Sequence, residues 1–379
     1  MPSAIKGNNI AVSGMFFMLG LCFGSWSSRV ATMKDGLSLS DGVLGSALFA
    51  MSAGLVLSLP VSGWAIAKLG SRVVGVAAIV ANAALLAIIP FSLNVHQLAI
   101  LLFVFGFSYS AVNVSNNTQA SISEAISGKT RLPFFHGIWG LAGFIGAGIG
   151  TLMIGQGIAM SLHFGLISAI ALMSALACWR FLYDRPNLEQ TRKAFAIPDR
   201  SLFNYGLITF CSMACEGIMY DWSVVYFQDV VSPDRRYVGL GFTVFMGAMT
   251  IGRLALNRFV DRFGTRRILQ WSGVLTLIGM AMTILYPSLV SSIVGFCLVG
   301  FGIGAVIPLV AGAAARSSTM APSSAIASVL TIGFLGLLIG PPLIGFLSDA
   351  FGLRYAFLFC VVMAIGITYR ASKISVQSP

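Results

Sequence analysis

The chain is short of charge. Lys, Arg, Asp and Glu together make up 9% of its 379 residues, where a soluble globular chain carries about 25%. Acids are the scarcest, 12 against 23 bases. Histidine occurs three times, and no Ser–His pair or His-Glu-x-x-His run appears. That removes the usual nucleophile–base and metallohydrolase arrangements, so the chain is not expected to be an enzyme. The six cysteines (22, 178, 211, 215, 297 and 360) all fall in apolar segments with no His or Cys cluster around them. They read as packing residues, with no disulfide, no metal and no cofactor. Long polar stretches are missing too, so no span could form a separate soluble domain. The net charge of +11 is spread over short loops rather than gathered on one face, and does not point to nucleic acid.

What is present is apolar. Hydrophobic residues make up 57% of the chain, with 42 glycines and 16 methionines, a composition suited to close helix packing in lipid. Twelve apolar stretches can be counted, near 9–33, 41–66, 73–91, 97–122, 133–155, 159–182, 202–228, 238–258, 267–286, 290–314, 323–346 and 353–370. Most are long enough to cross a bilayer as a helix. The expectation is an all-α membrane protein with twelve transmembrane helices. The first stretch is too long for a signal-peptide core and should remain as a membrane helix.

Basic residues set the orientation. With the N-terminus inside, Arg29, Lys34, Arg235, Arg236 and Arg354 fall outside and the rest of the 23 fall inside, a positive-inside pattern that puts both termini in the cytoplasm. The longest loop, Tyr183 to Arg200, is charged and carries Pro186 and Pro198. The domain reading is therefore a six-helix bundle over 1–182, a cytoplasmic linker over 183–200 and a second six-helix bundle over 201–379. An internal repeat relates the halves. Trp26 in GSWSSR and Trp222 in YDWSVV lie 196 residues apart; Gly70 in AKLGSRVV and Gly264 in DRFGTRRI lie 194 apart. Paired six-helix halves are the architecture of many secondary transporters, which bind solute near the midplane.

Against this apolar background the polar residues stand out. The seventh stretch carries Glu216 and Asp221. A carboxylate in hydrocarbon is costly unless it meets a partner, a cavity or water, and functional use is the default reading. A structural pair with a neighbouring helix is the alternative. The two acids lie about 140° apart around an ideal helix, and would share a face only if the helix broke, for instance at Gly217. The fourth stretch reads SYSAVNVSNNTQ, placing Tyr109, Asn113, Asn116 and Asn117 on one helical face. Carboxamides both donate and accept, which suits hydroxyl-rich solutes. Interhelical hydrogen bonding would also use them.

His136, at the start of the fifth stretch, reads as a proton carrier, a solute contact or a structural histidine. Trp26, Trp139 and Trp222 could stack on a solute ring or belong to interface belts. Arg29 lies at about the depth of Asp221 by the repeat, where it would pair with that acid across the halves or snorkel to the outer interface. Two loops have a gate-like pattern, with Gly70 and Arg72 in one and Arg253, Asp261, Arg262 and Gly264 in the other. The glycines allow tight turns, and Asp261 can cap a helix or pair with an arginine.

The loop pattern D-R-x-G-x-R-R at Asp261 to Arg267, set in twelve helices and two halves, resembles the major facilitator superfamily over the whole chain. Within it, NVSNNTQ, RLPFFHGIWGLAG and GFLGLLIGPPLIGFLSDAFGLR are similar to the fucose permease branch and its bacterial inner-membrane relatives. The resemblance implies alternating access for a sugar-like or polyol-like solute in a bacterial inner membrane. The chain departs from that pattern where Ala67 replaces the acid of the first loop copy and Asn113 replaces an acid on the fourth helix. Proton coupling would then fall to Glu216, Asp221 or His136. The expected function is secondary transport of a small polar organic solute (a sugar, polyol or amino sugar) by a monomer, with an exporter of amphipathic or cationic compounds as the alternative. A sensor of the same fold, an intramembrane enzyme and a channel are the remaining classes.

Overall fold

The computed structural model describes residues 2–184, 199, 202–316 and 320–374. Most of the expected linker, including Arg185, Pro186, Arg192, Lys193, Pro198 and Arg200, lies outside the described residues. No strand occurs among the residues described. Helix is what a bilayer demands, since each backbone group must find its partner within the segment.

Among the described residues fifteen α-helices run in order. They are α1 (Pro2–Ser28), α2 (Val30–Gly36), α3 (Asp41–Leu69), α4 (Ser71–Ile88), α5 (Val95–Ser127), α6 (Leu132–Gly155) and α7 (Met160–Cys178). Then follow α8 (Phe203–Tyr226), α9 (Leu240–Phe263), α10 (Thr265–Leu285), α11 (Leu289–Gly304), α12 (Val306–Ala315), α13 (Pro322–Phe351), α14 (Leu353–Ala356) and α15 (Leu358–Ser372). Eleven spans among the described residues are long and apolar enough to cross a membrane, with α11 and α12 counted as one. The seventh of the twelve expected spans is α8. Its 24 residues are long enough, but it is not among the eleven, and it is the helix that carries both acids. Large apolar side chains on the helices, such as Leu176 and Val290, are exposed.

The chain forms two compact units. One comprises Met1–Ser38 with Ala50–Thr191, and the other Leu39–Phe49 with Arg192–Pro379. The start of α3 thus clusters with the second unit, where Ser40 Oγ donates to Asp349 Oδ2 at 3.2 Å and Ser348 Oγ donates to the Asp41 carboxylate.

Within each unit, glycines bring helix backbones together. In the first, a Cβ at Gly20 would lie 2.2 Å from the Trp139 carbonyl oxygen, and one at Gly24 would lie 2.2 Å from that of Gly143. The α1–α6 crossing therefore requires glycine, and the glycine run of α6 serves packing. In the second unit the corresponding crossing joins α8 and α13, where a Cβ at Gly336 would lie 2.3 Å from the Phe210 oxygen. The equivalent helices pack alike in both halves, as the repeat requires.

The turn glycines are equally specific. Gly70, Gly264 and Gly352 have φ/ψ of 81°/150°, 76°/155° and 84°/149°, a region in practice open only to glycine. Gly70 and Gly264 were expected. Gly352, in DAFGLR, is a third copy of the same turn, and its signal in the sequence was Asp349-x-x-Gly352-x-Arg354.

Candidate functional site

In the first unit, α5 and α6 carry a chain of three side chains. His136 Nε2 lies 3.2 Å from Asn117 Oδ1, and a carboxamide oxygen there makes the ring nitrogen the donor. Asn117 Nδ2 in turn donates to Asn113 Oδ1 at 2.6 Å. His136, Asn117 and Asn113 are all half-buried, so each keeps part of its surface exposed. Aromatic rings border it: Phe16 meets His136 edge-on at 5.2 Å, and Phe23 lies 5.5 Å from Tyr109 and 6.0 Å from Trp139. Tyr109 and Trp139 are largely buried in this cluster.

The stripe is narrower than expected. Asn116 is 2% exposed, and its Nδ2 is buried without a hydrogen-bond partner among the described residues. It lies about 100° round the helix from Asn117, which turns it into the packing of the unit. Gln119, at the end of the same motif, is a hub the sequence reading did not single out. Its Nε2 donates to Ser71 Oγ and to the Tyr183 carbonyl, both at 2.9 Å, and its Oε1 accepts from the Tyr183 N–H at 3.0 Å.

Trp26 and Trp222 were expected to offer ring faces to a solute. They are 1% and 0% exposed. Trp26 packs 6.0 Å from Phe105, and Trp222 Nε1 donates to the Pro341 carbonyl at 3.1 Å. The repeat relates two packing residues here. Each lies on the helix that its unit buries most, so neither ring has a free face.

Arg29, 2% exposed, does not snorkel. Its Nε donates to His163 Nδ1 at 3.2 Å and its Nη2 to the Ile158 carbonyl at 3.0 Å. His163 therefore carries its hydrogen on Nε2, which is buried without a partner among the described residues. His163 sits on an apolar helix, with no local pattern in the sequence to mark it.

In the second unit α8 runs unbroken through Gly217, so the two acids stay on different faces. The departure from α-helix comes later, in a π-helical turn over Phe227–Val231. Glu216 Oε1 accepts from Arg253 Nη2 at 2.9 Å and from Tyr220 Oη at 2.5 Å. Its Oε2 is buried with no hydrogen-bond partner among the described residues. Arg253, grouped by sequence with the α9–α10 loop, instead lies near the middle of α9 and also donates from Nε to the Gly304 carbonyl at 3.3 Å. Asp221 is 9% exposed and has no hydrogen bond or ion pair among the described residues.

The remaining gate residues sit near helix ends. Arg72 lies 3.6 Å from the Asp184 carboxylate and 4.5 Å from the centre of the Trp179 ring. Arg262 lies 5.3 Å from the Phe263 ring centre. Asp261 is exposed and makes neither a cap nor an ion pair among the described residues. No group of three or more His, Cys, Asp or Glu among the described residues could hold a metal.

Comparison with known proteins agrees with this architecture. A model of the Major Facilitator Superfamily matches residues 11–233 and 205–370. An uncharacterised MFS-type transporter of Yersinia pestis is 32% identical over 94% of this chain and 92% of its own length. An uncharacterised transporter of Sinorhizobium fredii is 30% identical over 93% of this chain and 96% of its own. Membrane protein MosC of Rhizobium meliloti is 28% identical over 96% and 89%. Among solved structures, the nucleoside transporter NupG superposes with a TM-score of 0.79 at 14% identity, over 97% of this chain and 100% of its own. A bacterial homologue of the human lysosomal transporter Spinster gives 0.72 at 13%, over 97% of each chain. At such identities the structural likeness shows the fold alone.

Proposed function

The chain belongs to the major facilitator superfamily of membrane transporters, and on that premise we propose that it moves a small polar organic solute of the sugar, polyol or amino-sugar class by alternating access. It acts as a monomer in a bacterial inner membrane, with both termini in the cytoplasm. The observation that carries the reading is the half-buried chain from His136 through Asn117 to Asn113. These are neutral groups with both donors and acceptors, held in register by one another and bordered by Phe16, Phe23 and Tyr109. Such a wall matches hydroxyls through the amides and the apolar face of a ring through the aromatics.

Glu216 and Asp221 are the acids proposed to couple solute movement to protons. Glu216 reaches across to Arg253, so a change in its charge has somewhere to act. Asp221, without a counter-ion among the described residues, also favours a second reading, export of amphipathic cations.

A thermal-shift screen of purified protein separates the two. Sugars, polyols, amino sugars, nucleosides and lipophilic organic cations serve as probes, because a ligand that binds the folded state raises its apparent stability. The proposal expects a shift with a hydroxyl-rich probe that Asn113→Ala and Asn117→Ala abolish. A shift only with organic cations, lost in Asp221→Asn, would replace it with the export reading. Uptake into proteoliposomes driven by a pH gradient then tests coupling, which Glu216→Gln is expected to remove.

A further inference from the structure

The helices α11 and α12 form one membrane-spanning run interrupted at Ala305. Its cause lies three residues on. Pro308 has no N–H, so the carbonyl four residues before it, that of Gly304, loses its helical donor. A carbonyl orphaned in an apolar setting is costly unless another donor reaches it. Arg253 Nε supplies that donor at 3.3 Å, and the same guanidinium donates through Nη2 to Glu216 Oε1 at 2.9 Å. Tyr220 Oη bonds the same carboxylate oxygen. One side chain from α9 is therefore bonded at once to the acid of α8 and to the backbone at the break.

We propose that Arg253 is a positioning residue that ties Glu216 to the proline break between α11 and α12, so that loss of the Glu216 charge loosens the break. This rests on the reading of Glu216 as a coupling acid. The tie is directional because a guanidinium is a rigid fork. While Glu216 is ionised, the charge-assisted bond to Nη2 fixes the plane of the fork and aims Nε at Gly304. A neutral Glu216 gives up most of that hold, and the Gly304 carbonyl is left with a donor no longer aimed at it. The break then becomes a hinge. A charge change on one helix is converted into a mechanical change on another.

Hydrogen–deuterium exchange of the purified full-length protein, followed by mass spectrometry over residues 303–310, tests this without any solute. Glu216→Gln removes the charge. Arg253→Lys keeps a cation for Glu216 but replaces the planar two-nitrogen fork by a single ammonium nitrogen, which cannot hold Glu216 and the Gly304 carbonyl in the fork's fixed geometry. Pro308→Ala restores the missing N–H and closes the Gly304 bond within the helix. The expected result is that Glu216→Gln and Arg253→Lys each raise exchange over 303–310 about tenfold, that the double variant goes no further than the larger single one, and that neither has an effect in the Pro308→Ala background.

Unchanged exchange in both single variants overturns the proposal. So does an equal increase with and without Pro308→Ala, because the effect would then not pass through the Gly304 carbonyl. The coupling reading fails separately. Coupled uptake lost in Glu216→Gln beside unchanged exchange removes the tie and keeps the acid, whereas raised exchange beside intact coupled uptake keeps the tie and removes the coupling role.

Discussion

The polar centres of the two units are built from different chemistry. In the first unit α5 and α6 contribute two carboxamides and an imidazole, half-buried and bonded to one another in a row. In the second, α8 and α9 contribute a carboxylate, a phenol and a guanidinium. There Glu216 is buried, and its ion pair with Arg253 is shielded from most solvent. The difference follows from what each group loses on leaving water. An amide needs only a hydrogen-bond partner and can leave one side open; a buried charge needs a counter-charge or hydrogen-bonding groups aimed at it. The neutral row is thus suited to meeting a changing partner, and the ion pair to holding a fixed one. Arg29 obeys the same rule from within the first unit: deep in the helices it is held by the His163 nitrogen and a carbonyl rather than left bare.

This contrast can be broken most severely at the ion pair. Arg253→Met leaves Glu216 buried without its counter-charge and is expected to cost about 3–5 kcal/mol of folding stability, while adding Glu216→Leu should recover most of the loss. Denaturant titration of the two variants in the same detergent checks this; a double variant no better than the single one would mean that the pair is not the energetic unit. The helix crossings come next. Gly24→Val drives a side chain into the Gly143 backbone across α1–α6 and should cost about 1–3 kcal/mol, measured as a lower thermal midpoint. The same substitution at Gly36, where nothing lies within 4 Å of a Cβ, serves as the control.

The neutral row should be more forgiving. Asn117→Ala removes both bonds of the row, yet its half-open position lets water take part of the load. Its cost to folding should stay near 1 kcal/mol, while solute binding weakens by about 1–3 kcal/mol, because a ligand group is left unpaired. Equal losses in folding and binding would assign the row to the packing of the unit. The smallest effect is expected at Asp261. It is exposed and unpartnered among the described residues, so Asp261→Ala should change thermal stability by less than about 0.5 kcal/mol. A larger change would restore the gate contact expected from its motif.

Much of the fold was legible before any coordinates. The apolar runs, the turns at Gly70 and Gly264 and the matching halves all follow from local rules: a bilayer's thickness sets segment length, and only glycine adopts the φ/ψ of those turns. Glu216 was legible as an anomaly for the same reason, since a carboxylate is out of place in an apolar run. Its partner was not. Arg253 lies 37 residues away on another helix, and sequence proximity grouped it with the loop it precedes. His163 gave no local signal at all. Asn116 and Asn117 looked equivalent by helical spacing, yet one residue of rotation buries the first and half-exposes the second. Trp26 and Trp222 matched by repeat, and the match proved to be one of packing. Pro308 was plainly visible, but that its orphaned carbonyl would take a donor from α9 was not.

The amino-acid order alone determined that this is a bundle of apolar helices in two related halves, with polar groups too costly to be accidental. Hydropathy and backbone sterics act over a few neighbouring residues and need no knowledge of the rest of the chain. Only the tertiary structure decided which polar groups meet: His136 with Asn117, Arg29 with His163, and Glu216 with Arg253 and, through it, Gly304. Each meeting depends on the rotation and depth of two helices, and those are set by the sum of many weak packing contacts at crossings such as Gly24 on Gly143, not by any residue in the pair.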